Sequence, residues 1–139
     1  MKKLLCSVIT ILLMLGVASC KIPVYPFQYA SDKRAFDGRV GTKWVCYEPP
    51  IELEIVEEDR AIGTVLINGE QVELKFMFGT ISPHCNIIHI GDSEMDASKY
   101  LLRSNYEIYE NRFILRPFEE SEDKLFNNQY EELTFYLQE

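Results

Sequence analysis

A two-residue alternation of apolar and charged side chains runs through the chain after Gly41, and it leaves few folds open. Ile51, Leu53 and Ile55 alternate with Glu52 and Glu54, while Val72, Leu74, Phe76 and Phe78 alternate with Glu73 and Lys75. Successive side chains of an extended strand point to opposite faces, so each run has one face on a core and one toward water. Ahead of the second run stands Ile67-Asn68-Gly69-Glu70. Asn and Gly accept the positive φ angles of a type I′ turn, which predicts a tight hairpin there. Six further strands are predicted at 42–47, 61–67, 86–90, 99–109, 112–118 and 131–138, giving eight.

Between the strands lie turn signals: Glu48-Pro49-Pro50, Glu58-Asp59-Arg60, Ser82-Pro83, Gly91-Asp92-Ser93, Glu110-Asn111 and a polar stretch over 119–130. Short connections favour antiparallel neighbours, and no long segment has the three-to-four spacing of a helix that could carry a parallel crossover. The expected architecture is therefore all-β, an eight-stranded antiparallel up-and-down meander. Closing it into a barrel removes both free edges.

The N-terminus carries a different kind of information. Lys2 and Lys3 precede an apolar run from Leu4 to Ala18, too short for the roughly 20 residues that cross a bilayer core. Val17-Ala18-Ser19-Cys20 resembles a bacterial lipobox: an aliphatic residue, two small residues and the obligatory Cys. The resemblance implies that 1–19 are a cleaved signal peptide and that Cys20 is lipidated, anchoring the chain in the cell envelope. Lys21 rather than Asp follows Cys20. By the lipoprotein sorting rule this implies the outer membrane where two membranes exist, and otherwise the outer face of the plasma membrane.

Residues 20–40 read as a tether, with Pro23, Pro26 and a polar run from Ser31 to Arg34. Its reach is at most about 65 to 70 Å extended. The aromatics Tyr25, Phe27, Tyr29 and Phe36 argue that part of it packs on the following domain, as a short helical plug near Ser31 to Phe36. The barrel domain is then 41–139. Cleavage leaves 120 residues, enough for one domain, with 12 basic against 22 acidic side chains, a formal charge of −10. So acidic a domain has no basic stripe for nucleic acid and is repelled by anionic lipid, so the membrane is met through Cys20.

Trp44 in the first strand, the up-and-down order, Asn68-Gly69 before a charged alternating strand, and the ending Leu133-Thr134-Phe135-Tyr136 resemble small lipocalin-like lipoproteins over 41–139. Gly41-Thr42-Lys43-Trp44 is one residue longer than that family's Gly-x-Trp. The last strand carries no counterpart of the Arg that covers the Trp in lipocalins. The resemblance implies a barrel that holds a small apolar molecule. By strand phase, Trp44, Phe76, Phe78, Tyr100, Tyr106, Phe113 and Phe135 point inward. A ligand cavity would be lined by Trp44, Phe76, Phe78, Tyr106, Phe113 and Phe135. Eight strands enclose a space that side chains can fill or that can keep one small ligand.

Few other residues suggest chemistry. Cys6 leaves with the signal peptide, so Cys46 and Cys85 are either one disulfide or two buried small side chains. His84, Cys85 and His89 do not space as a metal site, because residues 85 and 89 of a strand lie about 13 Å apart and His84 faces away. The same pleat keeps His84 from acting as base toward Cys85. Asp92-x-Glu94-x-Asp96 opens like a calcium loop but continues with Ala97 and Arg103 where Gly and Glu are required. It reads as a solvated acidic turn, as does the run from Glu119 to Asp123. Glu52 and Glu54 share the polar face of their strand and read as surface. The chain is expected to be a noncatalytic binding or interaction module with no metal and no cofactor, its partners being the membrane and either a small apolar ligand or an envelope protein. The alternative is an envelope hydrolase or thiol enzyme.

Overall fold

In the computed structural model, residues 35–79, 82–119 and 122–139 are described. Cys20 and most of the expected tether, with Ser31 to Arg34 of the expected plug, lie outside the described residues. Eight strands follow in order: β1 (Lys43–Cys46), β2 (Ile51–Glu57), β3 (Arg60–Ile67), β4 (Glu70–Phe78), β5 (His84–His89), β6 (Leu102–Ile108), β7 (Arg112–Pro117) and β8 (Leu133–Gln138). Each pairs antiparallel with the next, and β8 returns to β1 through Lys43↔Gln138, Trp44↔Leu137 and Val45↔Tyr136. The meander is a closed up-and-down barrel, the expected architecture. Its closure satisfies every ladder and leaves no edge for a further strand.

Local sequence accounts for the tightest turn. Asn68 and Gly69 have φ angles of 51° and 82°, with Ile67 paired to Glu70, the geometry of a two-residue type I′ hairpin. On β2, Ile51, Leu53 and Ile55 are buried, while Glu52 and Glu54 lie on the exposed surface. The outer wall carries charges from most strands and the inside is apolar, the inverse of a membrane-spanning barrel, which is apolar outward and polar within. Among the described residues no helix is long and apolar enough to cross a membrane.

The β5–β6 connection departs from the expected pattern. β6 begins at Leu102 instead of Lys99, because Asp96 caps a single 3₁₀ turn over Ala97–Lys99, its carboxylate accepting from the Ser98 amide at 3.1 Å. Tyr100 is thereby taken out of the strand and out of the interior. Its hydroxyl donates to the Glu94 carbonyl at 2.9 Å, and the Arg103 guanidinium lies 5.6 Å from its ring centre. The same connection carries Glu94 to an ion pair with Arg60 and to Lys75 at 3.6 Å. Lys75 is the cross-strand partner of Ile88. Ile87 and Ile88 are both fully buried, so β5 is covered on its outer side as well as its inner one.

Two segments outside the strands close the barrel ends. At the end where β1 starts, the turns over 35–41 bring Phe36 inside, its amide donating to the Glu58 carbonyl at 2.7 Å. Fully buried, Phe36 belongs to the core although it precedes the first strand. At the opposite end Leu125 and Phe126 are buried and Tyr130 packs against them. The polar stretch 119–130 reads from the sequence as a connection, and among its described residues Leu125, Phe126 and Tyr130 form a cap. Asp123, read as a surface acid, is 4% exposed. Its Oδ1 accepts from the Leu125 and Phe126 amides at 2.9 and 2.7 Å and its Oδ2 from Asn128 at 3.0 Å. A carboxylate that accepts three backbone amides is compensated for its burial, which composition alone cannot reveal.

Candidate functional site

The six residues expected to line a cavity all point inward, and they touch one another. Phe113 and Phe135 stack at 4.5 Å with an interplanar angle of 8°. Trp44 meets Phe113 at 5.2 Å, Phe78 meets Tyr106 at 5.3 Å, and Phe76 meets Phe135 at 6.1 Å, all edge to face. Phe36 fits among them, edge-on to Phe78 at 4.9 Å, Phe113 at 5.4 Å and Trp44 at 5.8 Å. Phe36, from the N-terminal side, thus fills space between rings that an interior ligand would need. Phe36 belongs to no alternating run, and its signal in the sequence is the aromatic content of the segment before β1, which sets it against the domain without saying which rings it meets.

Trp44 is sealed from outside. Its Nε1 donates to Thr42 Oγ1 at 2.9 Å, and the Arg39 guanidinium lies 5.8 Å from the ring centre. Arg39 Nη1 also donates to the Tyr109 carbonyl at 3.0 Å, across the end of the barrel. A cation covers the Trp, but it comes from the segment before β1 and not from the last strand.

The two thiols are free and buried. Cys46 lies on β1 and Cys85 on β5, four strands apart in either direction around the closed sheet. Neighbouring strands are about 4.8 Å apart, which puts opposite walls beyond the roughly 7 Å within which two Cα atoms can be bridged. Of the two readings, the structure has the buried thiols. Burial pushes both thiol pKa values up, against hydrogen bonds from the Glu48 and Thr134 backbone at Cys46 and from Met77 and Ser104 at Cys85. A thiol held protonated is a poor nucleophile.

His84 faces away from Cys85. Its Nδ1 is 3.2 Å from Ser82 Oγ and its ring meets Phe118 edge-on at 5.1 Å. His89, at the exposed end of β5, joins neither, and among the described residues no three His, Cys, Asp or Glu side chains cluster to hold a metal. Of the acidic turn, Asp96 caps the 3₁₀ turn and Glu94 pairs with Arg60. Hydrogen bonds from Ser98 hold the Asp96 carboxyl below its ordinary value. On the outer face of β6 and β7, Arg116 bridges Glu107 at 2.7 Å and Glu132 at 3.5 Å. The Tyr109 hydroxyl donates to Glu107 at 2.7 Å, lowering the carboxyl and raising the phenol.

The outer wall of β1, β2 and β3 is different in kind. Two open concavities of about 430 and 410 Å³ lie on it and share Val45, Glu52 and Thr64. Together they form one trough that runs from Gln138 to Leu66. Beside β2 its lining includes Val45 and Lys43 from β1 and Ile62, Thr64 and Leu66 from β3, and β2 itself presents Glu52 and Glu54. At one end Tyr47 and Tyr136 form a ring pair at 5.8 Å. Tyr47 is 68% exposed, Leu66 56% and Tyr136 44%. Sequence reasoning treated Glu52 and Glu54 as plain surface and could not see their neighbours, because the trough is assembled from five strands and one turn. No family model, curated protein or solved structure matches the chain.

Proposed function

We propose that the chain is a lipid-anchored protein of the bacterial cell envelope whose barrel is a noncatalytic binding or interaction module. The anchor is argued from Lys2, Lys3, the apolar run to Ala18 and the cysteine of Val17-Ala18-Ser19-Cys20. The observation that carries the noncatalytic reading is the fate of the buried polar groups. Asp123 is spent on three backbone amides, Ser104 donates to the Cys85 carbonyl at 3.3 Å, and both thiols are held protonated by burial. A hydrolase or thiol enzyme requires convergent polar groups beside an activated nucleophile. An interior apolar ligand would compete with Phe36 for the space among Trp44, Phe78 and Phe113, so recognition is assigned to the outside of the barrel.

The anchor is tested by Cys20→Ser in the full chain. Wild type should be processed to a form that partitions into detergent, and the variant should accumulate as precursor or partition into water. Equal processing and partitioning of the two would sink it. Native mass spectrometry of the mature chain addresses recognition: retention of a small apolar molecule would move the binding site back inside.

A further inference from the structure

We propose that the trough over β1, β2 and β3 is a docking surface for an extended, Lys- or Arg-bearing polypeptide segment. The assignment rests on the reading of the domain as an interaction module and gives that reading a surface and a partner chemistry.

Charge selects the occupant. Among the described residues neither Glu52 nor Glu54 is in an ion pair, although Arg60, Lys75 and Arg116 elsewhere on the barrel are each held by carboxylates. In register Glu52 lies between Val45 and Thr64, neither of them charged, and Glu54 lies between Lys43 and Ile62. Each carboxylate has one half-buried aliphatic neighbour, Val45 beside Glu52 and Ile62 beside Glu54, and the exposed Lys43 opposite Glu54 forms no ion pair with it. This suits cations with apolar stems, since Lys and Arg lay their methylenes on apolar surface and keep the charged head free. Tyr47 and Tyr136 add exposed ring faces at the end of the trough, which attract such cations further.

Spacing selects an extended chain. Glu52 and Glu54 are two residues apart on one strand, about 6.6 Å, which is also the separation of alternate side chains in any extended segment. A basic residue at every second position therefore meets both carboxylates in turn. The partner lies across the wall and does not add to the sheet, because the barrel is closed. A second copy of this chain is a poorer occupant: a two-fold contact through this wall would bring Glu52 and Glu54 against their own equivalents, and like charges across an interface are unfavourable.

The test is fluorescence anisotropy of the full chain in nonionic detergent, titrated with a labelled peptide of alternating Lys and Leu. Binding should weaken as salt rises and should fall roughly tenfold in Glu52→Gln/Glu54→Gln, the loss of two solvent-facing ion pairs. Tyr47→Ser/Leu66→Ser should weaken it by a similar factor. Glu110→Gln/Glu119→Gln removes the same charge from the two ends of β7 and should leave binding within about twofold, separating a site from net charge. Melting curves recorded on each variant identify any that fail to fold. The proposal is overturned by absence of binding, by equal binding of an alternating Glu-Leu peptide, or by equal weakening in the β7 variant. A dimer in sedimentation that is lost with Tyr47→Ser/Leu66→Ser would also overturn it, assigning the wall to self-association. Detergent partitioning of the same samples reads the anchor separately, so either idea can fail alone.

Discussion

Arg39 and Trp44 form a latch at one end of the barrel: the guanidinium lies 5.8 Å from the indole centre while Nη1 donates to the carbonyl of Tyr109, 70 residues away in sequence, at 3.0 Å. The contact ties the segment before β1 to the β6–β7 turn and covers the largest side chain of the core. Arg39→Ala removes a cation over a ring and a charge-assisted hydrogen bond, and should cost about 2 kcal/mol in urea unfolding. Arg39→Lys should recover only part of it, since an ammonium cannot both lie flat on the ring and reach the carbonyl. A midpoint unchanged in Arg39→Ala would remove the latch.

Interior filling predicts the behaviour of two aromatic truncations. Trp44 and Phe36 are fully buried, so Trp44→Ala and Phe36→Ala should each cost about 3 to 5 kcal/mol, and the single Trp should emit at short wavelength in the folded wild type. Phe36→Ala also leaves a dry apolar hole. Benzene, which enters such holes, should raise the melting temperature of Phe36→Ala and leave wild type unmoved. Stabilisation of wild type by benzene would mean that the barrel already holds a cavity.

Two glycines should fail for opposite reasons. At Gly69 nothing lies within 4 Å of an added Cβ, but φ is +82°, so Gly69→Val should cost about 1 to 3 kcal/mol through backbone strain alone. At Gly63 an added Cβ would stand 3.0 Å from the Glu52 carbonyl oxygen, the Leu53 Cβ and a ring carbon of Phe76. Gly63→Ala should therefore cost about 1 to 3 kcal/mol by overpacking, and Gly63→Ala/Phe76→Leu should regain part of it. Additive losses in that pair would argue that the Phe76 ring is not what Gly63 makes room for.

The thiols give a pH dependence with a definite sign. Burial raises both above their ordinary value, so above about pH 8.5 the unfolded chain releases protons that the folded chain keeps. This contribution to stability is fully present below that pH and declines as pH rises through it. The melting temperature should fall between about pH 8.5 and 10, less steeply in Cys46→Ala/Cys85→Ala. Iodoacetamide should leave both thiols unmodified until the chain unfolds. Rapid alkylation of either in the folded protein would place it at the surface.

Alternation and turn chemistry were enough to place the strands in antiparallel order and, Tyr100 apart, to assign their inward faces, because a pleated strand enforces a period of two and Asn68-Gly69 favours a type I′ turn. Those are short-range constraints, carried by neighbours in sequence. The aromatics of the segment before β1 already set Phe36 against the domain, but tertiary structure alone decided that it enters between Trp44, Phe78 and Phe113, that Arg39 covers the same end, that Asp123 is buried under Leu125 and Phe126, and that Tyr100 leaves the interior. It also decided that Cys46 and Cys85 stand on opposite walls and that Glu52 and Glu54 share a trough with Tyr47, whose ring meets that of Tyr136. Each of these depends on which residues barrel closure brings together over long separations in sequence, and no local pattern encodes that.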